Sequence, residues 1–97
     1  MEYRIIKSPS KGTVDLLMRR KGSAPSVPID DYDAIGLVQG RLIDMVFAAD
    51  IAEKAAGVIV EDIKGHCPQN LIMIAIFGDT AAVEAAIQDI QAKLKVH

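Results

Sequence analysis

Residues 58–77 read VIVEDIKGHCPQNLIMIAIF. Two runs rich in β-branched and apolar residues, 58–63 and 71–77, flank KGHCPQN, whose Gly, Pro and Asn are turn formers; so short a link predicts antiparallel pairing. Working outward, residues 42–56 (LIDMVFAADIAEKAA) are Ala-rich and predict a helix with Leu42, Val46, Ala49 and Ala56 on one face, ended by Gly57 as a left-handed cap. Before it, residues 34–39 (AIGLVQ) predict a buried strand. After the second apolar run, Asp79 is placed to cap a final helix whose core stripe is Val83, Ile87, Ile90 and Leu94. Asp79 and Glu84 near its start, with Lys93 and Lys95 at its end, suit the helix dipole.

The front of the chain is less periodic. Residues 2–7 (EYRIIK) predict a strand, followed by turn chemistry in SPSKG. Residues 13–19 (TVDLLMR), seven positions closed by Gly12 and Gly22, predict a second short strand. Residues 21–31 (KGSAPSVPIDD) predict a linker, because Pro25 and Pro28 interrupt both helix and sheet ladders. The main body therefore reads strand-helix-strand-strand-helix with a strand ahead of it. A ferredoxin-like split βαβ unit reads βαββαβ, so the expected fold is α/β (α+β), circularly permuted, with its last strand moved to the front. The 97 residues and 10.4 kDa suit one domain. In it, residues 1–12 form an N-terminal strand and turn, and 21–31 link across the usual position of the termini.

Composition narrows the function classes. A net charge of −2 supplies no field for phosphates, and Tyr3, Tyr32, Phe47 and Phe77 are too scattered for a base-stacking platform; both argue against nucleic acid. With 51% hydrophobic residues on so small a body, part of the surface is expected to meet another copy. The one cysteine cannot form an intrachain disulfide, and the first residues lack the apolar core of a signal peptide, which predicts a reducing cytoplasm. No apolar run approaches the ~20 residues of a membrane span. Gly36 and Gly40 do not make a dinucleotide fingerprint.

Two stretches resemble the bacterial microcompartment (BMC) shell-protein domain: AADIAEKAA at 48–56, which is similar to that family's AAD-xxx-KAA run, and FGDTAAV at 77–83, which is similar to the GD-xx-AV start of its second helix. The similarity extends in register over residues 34–94, and the front strand resembles the circularly permuted subclass, in which an extra N-terminal strand can project over the pore. The resemblance implies a structural protein, not an enzyme. It implies a cyclic homohexamer tiling with other BMC shell proteins in a bacterial cytoplasmic microcompartment, with Lys54 packing hexamer edges. It also implies that the turn between the two strands lines the central pore, here with Gly65, His66, Cys67, Pro68 and Gln69. The family's pore turn is usually short and Gly-rich. The Cys-Pro found here instead resembles divergent shell proteins of glycyl-radical propanediol microcompartments, which carry an iron-sulfur cluster in the pore. That implies a glycyl-radical enzyme system as the encapsulated partner and Cys67 as the metal ligand.

Elementary chemistry is compatible with such a cluster. Six copies about an axis convert one Cys67 into a ring of thiols, which supplies a ligand count no single chain has; iron-sulfur clusters commonly use four cysteine thiolates. A cubane of the 4Fe-4S type has threefold but no sixfold symmetry, so only a subset of six cysteines can bind one cluster shared between subunits. Three alternate copies could cap one face, leaving the fourth iron to another Cys67, to His66 or to a small molecule. Pro68 restricts Cys67 to extended backbone, and Gly65 permits close approach of several chains near the axis.

Simpler readings stand beside these. A lone cysteine is commonly an inert small hydrophobe, and Met18, Met45 and Met73 read as core filler. His66 fits a supporting donor or a pore-lining group better than a ligand. A Cys-His nucleophilic pair would need an orienting third group, and neighbours in an extended turn tend to face opposite ways. Glu53 and Lys54 can simply be a solvated helix face. The competing functions are a metal-free metabolite pore and a ferredoxin-like regulatory or ligand-binding module.

Overall fold

The computed structural model describes residues 1–20, 32–55, 57–64 and 71–94. The linker reading of 21–31 lies outside them. In chain order the elements are β1 (Glu2–Lys7), α1 (Lys11–Arg20), β2 (Ala34–Arg41), α2 (Leu42–Lys54), β3 (Val58–Ile63), β4 (Leu71–Gly78) and α3 (Thr80–Leu94). The four strands form one sheet in the order β1-β2-β4-β3, antiparallel at every pairing. β4 thus lies between β2 and β3, the two strands that α2 connects, which is the split βαβ arrangement. β2 likewise lies between β4 and β1, so β1 occupies the place a strand following α3 would take.

The front strand is the sheet's fourth strand and does not project. It pairs with β2 along its whole length, from Glu2 opposite Gln39 to Lys7 opposite Ala34. Side chains reinforce this edge: Gln39 Nε2 donates to Glu2 Oε1 at 3.0 Å, and Lys7 meets Glu84 of α3 at 3.3 Å.

The central strands β2 and β4 are apolar on both faces. On one face, Val38, Ile74 and Ile76 pack beneath Met45, Ala48 and Ala52 of α2 and Val83, Ala86, Ile87 and Ile90 of α3. On the other, Ile35, Ala75 and Phe77 meet Ile63 of β3 and Leu17 of α1. A strand buried on both sides loses the alternation of a half-exposed one, which is why LIMIAIF reads as a continuous run.

That second face explains why residues 13–19, expected as a strand, are helical. Val14, Leu17 and Met18 stand at helical spacing, and all three belong to the cluster on the sheet's second face, Leu17 only 5% exposed. Ser10 starts the helix: its Oγ accepts the Thr13 N–H at 3.2 Å, an N-cap within the stretch read as turn chemistry. The expected face of α2 is also rotated. Met45, Ala48, Ile51 and Ala52 are buried, whereas Leu42 and Val46 are exposed; Ala49 is half-buried, and Ala56 lies outside the described residues. Apolar residues surround most of this helix, so periodicity alone does not select the side facing the sheet.

Elsewhere the expectations agree with the structure. Asp79 caps α3, its Oδ1 accepting the Ala82 N–H at 2.8 Å, and Val83, Ile87 and Ile90 are buried. Gly57 has φ +83° in the turn after α2, although α2 itself ends at Lys54, two residues earlier than the expected cap position requires. Gly36 lets α3 settle on the sheet: a Cβ there would stand 3.0 Å from Val83 Cγ1 and 3.1 Å from Ile87 Cδ1.

Two substitutions test this account in urea denaturation. Leu17→Ala should cost about 2–3 kcal/mol, because it opens the cluster beneath α1. Asp79→Ala should cost about 1 kcal/mol through loss of the α3 cap.

Candidate functional site

One end of the sheet gathers the elements that flank the expected pore turn. β3 leaves the sheet at Ile63 and β4 enters at Leu71, so this end carries the turn between them. β2 also finishes here, with Gly40 opposite Ile72 and Arg41 opposite Leu71, and α2 begins directly afterwards. The C-terminus of α1 arrives as well, because the Lys64 N–H donates to the Arg20 carbonyl oxygen. The stem is buried below its exit: Ile63 is 3% exposed, and it shares the cluster under α1 with Met73, its partner across the β3–β4 pair.

Gly65, His66, Cys67, Pro68 and Gln69, the expected pore and metal residues, lie outside the described residues. Among the described residues, no group of three His, Cys, Asp or Glu side chains could hold a metal ion. The donor chemistry therefore gives a definite requirement. One chain brings one thiolate, so an iron-sulfur cluster fits this chain only if several copies bring Cys67 together.

Lys54, the expected edge residue, ends α2 in solvent. Its Nζ lies 2.8 Å from Asp50 Oδ2, one helical turn earlier, and this hydrogen bond, together with the Asp50 charge, raises its pKa. Glu53 is exposed beside it, so both charges occupy the solvated face. Tyr3, near the same end as α2's start, has its phenol held protonated above the usual range by burial and then by the charge of Asp44. It is thus not a base at neutral pH.

The feature that sequence reasoning missed is an exposed apolar surface on the first half of α2. Ile43 is 78% exposed, Val46 63%, Leu42 54% and Phe47 47%. Beside it lies an open depression of about 250 Å³, where Leu42, Val46 and Ala49 face Asp62 of β3 and Ile72 and Ile74 of β4. The high apolar content pointed to such a surface without locating it. Its location becomes visible only once Met45, Ala48 and Ala52 are seen to be the face that α2 buries.

This architecture and its conspicuous end can be set beside known proteins. A family model described as the BMC domain matches residues 34–97. The chain belongs to the BMC-domain family. The matched segment begins with β2, so β1 and α1 precede it, as a permuted arrangement requires. The ligand-free structure of the GrpU microcompartment shell protein from Clostridiales bacterium 1_7_47FAA is 55% identical, with a TM-score of 0.78 over 99% of this chain and 94% of that one. The ligand-free GrpU microcompartment shell protein from Pectobacterium wasabiae is 39% identical, with a TM-score of 0.73 over 93% of this chain and 99% of that one. No curated protein matches the chain.

This BMC-domain chain is a structural shell protein of a bacterial microcompartment, a family of non-enzymatic components that assemble into oligomers within shells in the bacterial cytoplasm. Among the described residues no helix is long and apolar enough to cross a membrane. The exposed surface of α2 is consistent with such a role, because apolar area left open by one chain is available to the next.

Lys54→Ala should leave the far-UV circular dichroism and the urea midpoint unchanged, because its only ion pair among the described residues is exposed. A clear fall in the midpoint would assign Lys54 a role inside the fold.

Proposed function

We propose that the chain forms a cyclic homohexamer in which the turns carrying Cys67 converge on a central pore and hold a shared iron-sulfur cluster of the 4Fe-4S type. The observation that carries this reading is the position of the exposed α2 surface. It lies at the same end of the sheet as the turn, so a neighbour that buries Ile43 and Val46 also stands close to the turn. Rotational symmetry then supplies the thiolates that one chain lacks.

In this assembly Cys67 is the ligand and Pro68 restricts its backbone, while Gly65, His66 and Gln69 line the remainder of the opening. His66 is a candidate for a supporting donor. The cluster would supply one-electron transfer or redox tuning across a sheet that obstructs bulk exchange. Lys54 would pack at the hexamer edge, where tiling with other BMC shell proteins takes place, and the enclosed partner would be a glycyl-radical enzyme system. The similarity to GrpU shell proteins supports the shell assembly.

A second reading is a metal-free metabolite pore lined by the same residues.

Purification without air separates the two. The cluster reading expects a brown hexamer with iron and acid-labile sulfide in equal amounts, and visible absorbance that disappears in Cys67→Ser while the elution volume is unchanged. A colourless, iron-free hexamer would leave the plain pore. Ile43→Asp combined with Val46→Asp should convert the hexamer to smaller species in size-exclusion chromatography. A wild type that elutes as a monomer or dimer would instead favour the regulatory module. Lys54→Asp should abolish extended sheets in electron micrographs while sparing the hexamer.

A further inference from the structure

The helices on the two faces of the sheet differ in charge. α1, alone on its face among the described helices, carries Lys11, Arg19 and Arg20 against Asp15, a net charge of +2. On the opposite face, α2 holds Asp44, Asp50 and Glu53 against Lys54, and α3 holds Glu84 and Asp89 against Lys93; together they carry −3. The chain as a whole is acidic, so the positive side is a local inversion and not a general property.

The cations are concentrated at the functional end. Arg19 and Arg20 are the last two residues of α1, and the backbone hydrogen bond from Lys64 to Arg20 brings the main chain of a third basic residue beside them. All three residues are exposed, and none takes part in an ion pair among the described residues; the pairs found there use Lys7, Lys54 and Lys93. The nearest acids on β3 are Glu61, 9% exposed on the α1 side, and Asp62, exposed on the α2 side. Asp15 lies one turn back along α1. Lys64 immediately precedes the turn that carries Cys67.

From this placement, and resting on the hexamer and cluster reading above, we infer that Arg19, Arg20 and Lys64 form a cationic collar around the pore that docks an acidic electron-carrying protein on the α1 side. Three cations from each of six copies encircle one axis. Exposed cations bind a small anion weakly, because water and salt screen each contact. A protein bearing many carboxylates engages several subunits at once and is steered toward the axis by their summed field. The acidic α2 and α3 side repels the same partner, so docking has a direction.

The test uses the full-length hexamer, prepared without air, and an acidic plant-type ferredoxin as probe, with binding followed by sedimentation at low and moderate salt. Binding should weaken as salt rises. Arg19→Glu with Arg20→Glu should weaken it about tenfold or more at low salt, while Arg19→Gln with Arg20→Gln falls between that variant and the wild type. Lys11→Glu, at the far end of the same helix, should change it by less than about twofold, since the effect depends on distance from the axis. Circular dichroism and elution volume check that each variant folds and assembles.

Binding that is salt-independent, unchanged in the double variant, or lost equally in Lys11→Glu overturns the collar. So does a single-stranded oligonucleotide that binds as tightly as the ferredoxin, because the surface would then serve polyanions in general. Cys67→Ser distinguishes this inference from the reading beneath it. An iron-free hexamer that binds the probe as the wild type does supports the collar even if the cluster reading fails.

Discussion

The requirement that a two-sided apolar sheet be covered on both sides governs this molecule. β4 and β2 present Ile74, Ile76 and Val38 to one side and Ala75, Phe77 and Ile35 to the other, and leaving either set in water would forfeit a large share of the burial that holds so small a domain together. α2 and α3 cover the first side. On the second side α1 is the helix seated on Phe77 and its neighbours, and its end is tied to the stem of the turn through Arg20 and Lys64. Covering the sheet thus also delivers a helix terminus to the end where β3 leaves the sheet and β4 enters it.

The same requirement separates what was legible in the sequence from what was not. β3, β4 and α3 are bounded by strong local signals: an apolar run broken by Gly and Pro, and an aspartate three residues before the amide it caps. Residues 13–19 have no such signal, since a Val-Leu-Met pattern of that length suits either a strand or a helix. What decides between them is the uncovered face of Phe77, a tertiary fact. The Ser10 cap was a local clue, but serine in a Ser-Pro-Ser segment also reads as turn chemistry. For α2, the alanines that allow close packing against the sheet also dilute the contrast between its faces, so Leu42 and Val46 read as core.

Cys67 illustrates a different limit. Its singularity was plain from composition, and the family resemblance agrees with the BMC-domain match over residues 34–97. A single chain supplies one thiolate, however, so chemistry that needs several is not legible in its sequence. The α2 surface was hidden for a related reason: apolar side chains left exposed look the same in sequence as those buried in the core. Lys54 shows the reverse case, where a charge expected at an edge is found in solvent with a local partner, a position open to an external contact and equally to none.

The front position of β1 alters the order in which the sheet becomes available during synthesis. Were this strand to follow α3, the ribosome would release it last, and the exposed edge of β2 would wait through translation of the whole remaining domain. Because it precedes β2, β1 is already present when β2 appears, and the two can zip together while α2 is still being made. A subunit rich in apolar surface then passes through synthesis with one vulnerable flank closed early, which limits premature strand-to-strand sticking between nascent chains on neighbouring ribosomes.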